Sequence, residues 1–363
     1  MVKRIFHGLV VALVVLLTSC STQQDLTFVK YFAAYKALFI DDGRVLDTGN
    51  GNVSHSEGQG YAMLFAVGAN DKDTFDALWQ WSQRVLQRED KLFSWRYRPC
   101  PTHDRACIDD INNASDGEIL IAWALLRAAD KWDDEDYASA ATAIINKVES
   151  TLIKDTEQLT LLLPGEVGFE DDSSVQVNLS YWIFPALKDI AQHANQPEKW
   201  NQLYTSGLAL LAKSQFSQYG LPSDWVRVEN SIGNRIGNRV DNNHLEEVRL
   251  SLDKVISAEY GFNAVRIPLH LAWSGSSTIE QHATLFEPFN AWWEQPKTPA
   301  TVNLLTEKVA DYEMTQGMRA VETAVSHLTQ GTEVDWPEIN RTTDYYSASL
   351  TLLSMLAVMD NPS

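Results

Sequence analysis

The chain has 363 residues, of which 45% are hydrophobic and 10% aromatic, which is enough apolar surface for a buried core and excludes a disordered protein. Its formal net charge of −19 at pH 7 gives a surface that repels nucleic acids and anionic lipid headgroups. We therefore expect a neutral or cationic substrate and no nucleic-acid partner.

The N-terminal segment predicts an export signal. Lys3 and Arg4 precede an apolar run from Leu9 to Leu17, which is too short to span a bilayer comfortably and is followed by small residues. We expect residues 1–19 to form the signal peptide and residues 20–363 to form one domain, because no change in composition divides the rest of the chain.

The end of the apolar run, Leu17-Thr18-Ser19-Cys20, resembles a bacterial lipoprotein signal. In such signals the cysteine becomes the lipidated first residue of the mature chain, and Ser21 implies the outer membrane as its destination. The alternative is an ordinary cleaved signal with an incidental cysteine. The resemblance implies a periplasmic protein that contacts the membrane only through a lipid anchor at Cys20.

Helical periodicity dominates the rest of the chain. Apolar residues recur at spacings of three and four, whereas alternating stretches that would indicate strands are few and short. This pattern predicts an all-α protein whose helical hairpins form a toroid or a bundle. The predicted helices lie at about 73–86, 119–132, 134–150, 179–193, 198–213, 263–273, 301–327 and 343–358.

Two carboxylates open predicted helices, Glu57 in SHSEGQGYAM and Asp116 in SDGEILIAW. Gly58 and Gly60 would leave room for a ligand to approach Glu57 closely. Both stretches also fit the capping box S-x-x-E, in which Ser and Glu satisfy backbone N–H groups at a helix N-terminus. Spacing alone leaves both a catalytic and a capping role open.

Two further features bear on function. Cys100 and Cys107 lie close together in an exported chain, which favours a local disulfide over a metal site; two free thiols are the alternative. The 12 tryptophans suggest a carbohydrate-binding protein, because aromatic faces stack on sugar rings, although any single tryptophan is more often part of the core.

Eight motifs occur in a fixed order along the chain: SEGQGYAM, LFSW, NNASDGEILIAWALLRAADKW, LLLPGEVGF, NLSYW, SDWV, FNAVR and DYYSASLTLL. Together they resemble glycoside hydrolase family 8, and most closely its periplasmic endoglucanases associated with bacterial cellulose synthesis. The resemblance implies an (α/α)6 barrel of inner and outer helices with an acidic substrate cleft. It also implies inverting hydrolysis of β-1,4-linked glucan without cofactor or metal.

The resemblance also assigns roles to residues. Glu57 matches the general acid, and Tyr61, Met63 and neighbouring aromatics would disfavour its charged form. Asp116 matches the aspartate that holds the sugar at the cleavage point and helps to set the attacking water. The positions that line the substrate subsites are Trp95, Tyr181, Arg266, Tyr345 and Tyr346, for which core packing or, for Arg266, a surface ion pair are the alternatives.

One residue departs from the motif in a way that matters for the reaction. Asn263 stands where the cellulose-linked enzymes carry the aspartate that acts as general base, and an amide cannot accept a proton from water at neutral pH. Glu118, in place of the usual aspartate two residues after Asp116, conserves the charge and matters little.

Three hypotheses account for the amide. The base comes from a loop within residues 226–262, or it is Asp116 with Asn263 orienting the water, or the protein is a catalytically impaired accessory that binds glucan. The expected substrate is a cellulose-like chain, handled near the cellulose synthesis and export machinery; a chitosanase or xylanase activity is the alternative. The acids of this loop that are candidates for the base are Asp241, Glu246, Glu247 and Asp253, of which Glu246 and Glu247 are predicted to begin a helix.

Overall fold

The computed structural model describes residues 26–229 and 248–362. The chain is mainly helical within these ranges, because long apolar-periodic stretches lie between turns rich in Gly, Asn and Asp. The helices are α1 (26–39), α2 (Ser56–Gly68), α3 (Lys72–Trp81), α4 (Ser115–Trp132), α5 (Glu135–Thr151), α6 (Phe184–His193), α7 (Pro197–Lys213), α8 (Ile267–Trp273), α9 (Ser276–Gln281), α10 (Glu287–Trp293), α11 (Gln316–Gln330) and α12 (Tyr345–Asp360).

The helices form the inner and outer layers of an (α/α)6 barrel, as the resemblance implies. Helices α2, α4, α6, α8 and α12 follow one another in contact around the inside, and α12 closes onto α2. Helices α3, α5, α7 and α11 pack outside them. The inner helices α2 and α12 are buried along nearly their whole length, whereas α3 and α11 bury one face, as amphipathic outer helices do.

Short antiparallel strands lie in the loops that connect the helices of the barrel. They pair as β1–β2, β3–β4–β5, β6–β7, β8–β9–β10 and β11–β12. Their bounds are β1 (Ile40–Asp41), β2 (Arg44–Val45), β3 (Ser54–His55), β4 (Arg96–Tyr97), β5 (Ile108–Asp110), β6 (Ile153–Asp155), β7 (Thr160–Leu162), β8 (Ser174–Val177), β9 (Val226–Glu229), β10 (Leu250–Leu252), β11 (Glu259–Tyr260) and β12 (Val302–Asn303).

A disulfide between Cys100 and Cys107 closes the connection between β4 and β5, which confirms the predicted pairing and excludes free thiols. The segment it closes follows Trp95 and precedes Asp110. The bond therefore restrains the hairpin that follows Trp95 and ends at Asp110, which accepts a hydrogen bond from Trp95 Nε1. Within residues 26–229 and 248–362, no helix has the length and apolar character needed to cross a membrane.

The inner helices run in the same direction, so their N-terminal ends meet at one end of the barrel. At the opposite end Asp360, the last residue of α12, accepts hydrogen bonds from Trp273 Nε1 (2.8 Å) and Arg127 Nη1 (2.7 Å) and so ties α8 and α4 to α12. The partial positive charges of the helix N-termini are thereby gathered at the other end, where they favour carboxylates.

Two of the predicted helices are wrong in part. The prediction over 301–327 joins a strand, β12, to the helix α11, which begins only at Gln316. The helix predicted from Glu246 is contradicted at 250–252, which pair with β9 as strand β10. Both stretches have apolar spacings that fit a helix, but pairing with a neighbouring strand satisfies their backbone groups instead.

Candidate active site

Glu57 lies in the first turn of α2, at the end of the barrel where the inner helices begin. The backbone N–H of Ser56 donates to Trp95 O (3.0 Å), which fixes the start of the helix against the β3–β4–β5 sheet. Tyr61 Oη (3.1 Å) and Arg266 Nη1 both donate to Glu57 Oε1. The side chain is 23% exposed, and Oε2 is therefore the oxygen that can face a bound substrate.

The capping-box interpretation is wrong at both helix starts. The N-cap positions of α2 and α4 are His55 and Ala114, and neither caps its helix through a side chain. Glu57 contacts Arg266, and Glu118 accepts a hydrogen bond from the backbone N–H of Phe93 (2.8 Å). Each glutamate thus bonds a distant part of the chain rather than its own helix terminus.

The glycines after Glu57 make room for helix packing and not for a ligand, contrary to the expectation from sequence. A Cβ on Gly58 would lie 2.4 Å from Tyr345 Oη, and one on Gly60 would lie 2.5 Å from Leu120 Cβ in α4. The same holds across the contact, where a Cβ on Gly117 would lie 2.2 Å from Ser56 Oγ. The absence of these side chains lets α2 and α4 approach closely and brings their carboxylates together.

Asp116 is the second carboxylate at this end of the barrel, in the first turn of α4. Its Oδ1 accepts the backbone N–H of Gly117 (2.8 Å), and Arg266 Nη1 lies 4.0 Å from its Oδ2. Burial raises the pKa of Asp116 to about 7. Asp116 therefore changes its charge near neutral pH, in the range in which a general base works best.

Arg266 connects the two carboxylates. It is 2% exposed, which rules out the surface ion pair considered from sequence, and burial lowers the pKa of its guanidinium. Besides Glu57 it donates to Tyr61 Oη (2.6 Å), Ser180 Oγ (2.9 Å) and Asn263 Oδ1 (2.8 Å). Glu57 is thus held by polar partners and not by the apolar surroundings expected from its neighbours in sequence.

The shared guanidinium limits the distance between Glu57 and Asp116. Arg266 Nη1 is in hydrogen-bonding contact with one carboxylate and 4.0 Å from the other. Their nearest oxygens therefore lie closer together than the roughly 6.5–9.5 Å that typically separates the two carboxyl groups of inverting glycosidases. A water and a sugar ring must enter beside Arg266 for these two groups to act on one glycosidic bond.

Asp224 is a site residue that the sequence analysis missed. It is 7% exposed, and its Oδ1 accepts the backbone N–H groups of Gly261 (3.0 Å), Asn263 (3.1 Å) and Ala264 (2.8 Å). Burial raises the pKa of Asp224 to about 6, against the lowering effect of these bonds. Its position in the motif SDWV was the available signal, but nothing in that motif indicates contact with residues 261–264.

Of the four loop acids proposed as a relocated base, the structure describes Asp253. Asp253 is 2% exposed, and its oxygens accept Gln176 Nε2 (2.6 Å) and the backbone N–H groups of Val255 (2.8 Å) and Ile256 (2.9 Å). Asp253 therefore holds its own loop. The other three acids, Asp241, Glu246 and Glu247, lie outside the described residues.

Among the aromatic candidates, Tyr181 and Tyr346 are half-buried, Tyr181 near Asp116 and Tyr346 near Arg266. Tyr181 packs edge-on against Trp225 at 6.2 Å between ring centroids, and Phe169 stacks on Trp225 at 5.9 Å. Tyr346 Oη donates to the carbonyl oxygen of Phe262. The half-buried rings Phe169 and Trp225 extend the aromatic surface beyond the residues expected from sequence.

The other two aromatic candidates are less open. Tyr345 is buried against Gly58, so it fixes α12 onto α2. Trp95 is half-buried, its Nε1 donates to Asp110 (2.8 Å), and the Arg96 guanidinium lies 4.4 Å from its ring centroid. These contacts orient the indole at the edge of the site and leave only part of its surface available to a sugar.

The comparisons with known proteins agree with this arrangement. The model of the family described as glycosyl hydrolases family 8 matches residues 7–360. The chain is 39% identical over 292 residues to an endoglucanase of Cellulomonas uda, covering 79% of this chain and 74% of that protein. It is 34% identical over 331 residues to a probable endoglucanase of Novacetimonas hansenii, covering 90% and 89%.

Two solved structures share the fold over nearly their whole length. The endoglucanase of Klebsiella pneumoniae, a family 8 glycosyl hydrolase, superposes with a TM-score of 0.79 at 39% identity, covering 91% of this chain and 99% of that one. An endo-beta-1,4-glucanase from Acetobacter xylinum gives 0.78 at 33% identity, covering 91% and 97%. The similarity therefore extends over about nine-tenths of this chain.

Proposed function

Because the chain belongs to glycosyl hydrolase family 8, we propose that it is an endo-β-1,4-glucanase that cleaves cellulose-like chains by inversion. The observation that carries the proposal is the pair Glu57 and Asp116, which open adjacent inner helices and share the buried Arg266. Its relatives named endoglucanase support the same activity. The aromatic rings around the pair suit stacking on glucose units.

We assign Glu57 as the general acid. In the reaction its proton passes to the leaving glycosidic oxygen while the bond from that oxygen to the anomeric carbon breaks. A water attacks the same carbon from the opposite face and gives up one proton to a base. Arg266 and Tyr61 hold Oε1, so the proton is delivered from Oε2.

Among the described carboxylates, Asp116 fits the base best, because it lies across Arg266 from Glu57 and titrates near neutral pH. Asn263 does not serve, since its Oδ1 is engaged by Arg266. A base at Asp241 stays a prediction. Azide separates the two, because it attacks the anomeric carbon in place of water without needing a base. Cleavage by Asp116→Gly or by Asp241→Gly, with a glycosyl azide as the product, is restored by azide only if that residue is the base.

The activity is tested with the purified mature chain on carboxymethyl cellulose, chitosan and xylan. We expect carboxymethyl cellulose to lose viscosity faster than reducing ends appear, which marks internal cleavage, and nuclear magnetic resonance to show the α-anomer first. Glu57→Gln should lower kcat at least about 1000-fold and leave oligosaccharide binding intact. Unchanged turnover by Glu57→Gln, or a preference for chitosan or xylan, would contradict the assignment.

We also propose that the chain is exported and anchored through a lipid on Cys20. The support is the apolar segment that ends at Leu17-Thr18-Ser19-Cys20 together with the disulfide between Cys100 and Cys107, since structural disulfides persist in oxidising compartments. Mass spectrometry of the mature N-terminus tests the anchor: a diacylglyceryl cysteine is expected, and an unmodified residue downstream of Cys20 would exclude it. The association with cellulose synthesis and export machinery stays a prediction.

A further inference from the structure

Asp224 lies directly behind the amide that replaces the expected base. Its carboxylate accepts hydrogen bonds from three backbone N–H groups of one turn, those of Gly261, Asn263 and Ala264, at 2.8–3.1 Å. These bonds shape the turn that leads into Arg266, the residue that contacts Glu57. A single buried carboxylate, from a segment about 40 residues upstream, thus sets the course of the chain into the active site.

The Asn263 side chain joins this carboxylate to the guanidinium. Its Oδ1 accepts Arg266 Nη2 (2.8 Å), its backbone N–H donates to Asp224 Oδ1 (3.1 Å), and hydrogen bonding from its side chain lowers the pKa of Asp224. Because a guanidinium only donates and an ionised carboxylate only accepts, the amide oxygen must face Arg266 and the amide nitrogen must face Asp224. An amide satisfies both neighbours at once, whereas an aspartate at this position would oppose Asp224 with a like charge.

Gly261 provides independent support that this carboxylate has a required place. A Cβ added to Gly261 would lie 2.7 Å from Asp224 Oδ2. The backbone at this residue is not in the left-handed region, so the glycine is explained by the space that the carboxylate occupies and not by an unusual conformation. The turn is therefore built around Asp224.

We propose that Asp224 is a positioning residue of the active site, that it acts through Asn263 on Arg266 and Glu57, and that it requires the amide at position 263. The inference rests on the proposed function, because its effect is exerted on the general acid. It implies that the negative charge on this side of the site is carried by residue 224 and not by residue 263. A carboxylate placed at 263 is then harmful for as long as Asp224 is present.

An exchange of the two side chains tests the pair. We compare the wild type with Asp224→Asn, Asn263→Asp and the double variant, using kcat and KM on cello-oligosaccharides. Each single change should lower kcat at least about tenfold with a smaller change in KM, because Arg266 loses its support or two carboxylates meet. The exchange restores one donor and one acceptor between the positions, so kcat should recover to within about fivefold of the wild type.

Asp253→Asn is the matched control. Like Asp224, Asp253 is a buried aspartate that accepts backbone N–H groups, but it holds residues 255 and 256 and has no contact with Arg266 or Glu57. We expect this variant to unfold at a lower temperature with kcat unchanged. A fall in kcat for Asp224→Asn without such a fall for Asp253→Asn separates positioning from general loss of stability.

Two results would overturn the inference. One is a gain of activity by Asn263→Asp with Asp224 intact, which would mean that position 263 lacks only a base. The other is a double variant whose losses are the product of the single losses. Should the wild type hydrolyse none of the polymers, the proposed function fails, and the unfolding temperatures of the same four proteins decide the coupling: additive shifts would refute it.

Discussion

Asp116→Asn should make the protein more stable above neutral pH while it abolishes activity. Asp116 is 3% exposed, and its pKa in the folded protein is about 7, against about 3.9 for an aspartate in an unfolded chain. Below about pH 4 the side chain is protonated in both states and costs nothing. Between about pH 4 and pH 7 the unfolded chain ionises and the folded one does not, so the wild type loses free energy of unfolding as the pH rises.

The size of the loss follows from the two pKa values. Each pH unit in this window costs about 1.4 kcal/mol, which gives about 4 kcal/mol at pH 8. This figure already includes the attraction of Arg266, 4.0 Å from Asp116 Oδ2, because the pKa in the folded protein reflects every interaction of the charged carboxylate. Because asparagine cannot ionise, we expect Asp116→Asn to exceed the wild type in free energy of unfolding by about 2–4 kcal/mol at pH 8 and to match it near pH 4.

Urea unfolding of both proteins between pH 4 and pH 8, followed by tryptophan fluorescence, measures the difference. The exposed Asp172, changed to asparagine, is the control and should give a difference that does not vary with pH. Hydrolysis of carboxymethyl cellulose by Asp116→Asn should fall at least about 100-fold at every pH. The reasoning is refuted if Asp116→Asn gains no stability at pH 8, or if its advantage does not grow between pH 4 and pH 8.

Three further predictions concern other parts of the site. Gly117→Ala places a Cβ 2.9 Å from the backbone N of Glu57, so α2 and α4 must move apart. This should lower the free energy of unfolding by about 1–3 kcal/mol in unfolding curves and lower kcat at least about tenfold in assays. A wild-type kcat would contradict the prediction. Replacing Cys100 and Cys107 by serine should lower the free energy of unfolding by about 2–3 kcal/mol in urea, and no change in stability would be inconsistent with the disulfide's role. Trp95→Ala should raise KM for cello-oligosaccharides about tenfold with little change in kcat, and a fall in kcat alone would argue against a stacking role.

Features that depend on residues near one another in sequence were predictable. The stretches SHSEGQGYAM and SDGEILIAW located the helix starts at Glu57 and Asp116, and the short spacing of Cys100 and Cys107 favoured the disulfide that is present. The stretch 301–327 shows where this fails, because its first part pairs with β11 and forms no helix until Gln316. Strand pairing depends on a partner that periodicity within one segment does not describe.

The reasons assigned to particular residues depended on contacts across the fold. The capping box and the glycines after Glu57 each suggested a local role. In the structure Glu57 accepts a hydrogen bond from Arg266, and Gly58 and Gly60 allow α2 to pack closely against α12 and α4. A sequence motif states which residue is present, whereas its partner is set by the helices that pack against it.

Local periodicity and the order of motifs along the chain were enough to predict the helical architecture, the family and the two carboxylates that open inner helices. Contacts across the fold were needed to show that Arg266, 209 positions from Glu57, holds that carboxylate, and that Asp224 lies behind Asn263. This difference arises because ion pairs and buried hydrogen bonds act over a few ångströms. Which groups come within that distance is fixed by the packing of the barrel, where leaving any of them unpaired would cost free energy.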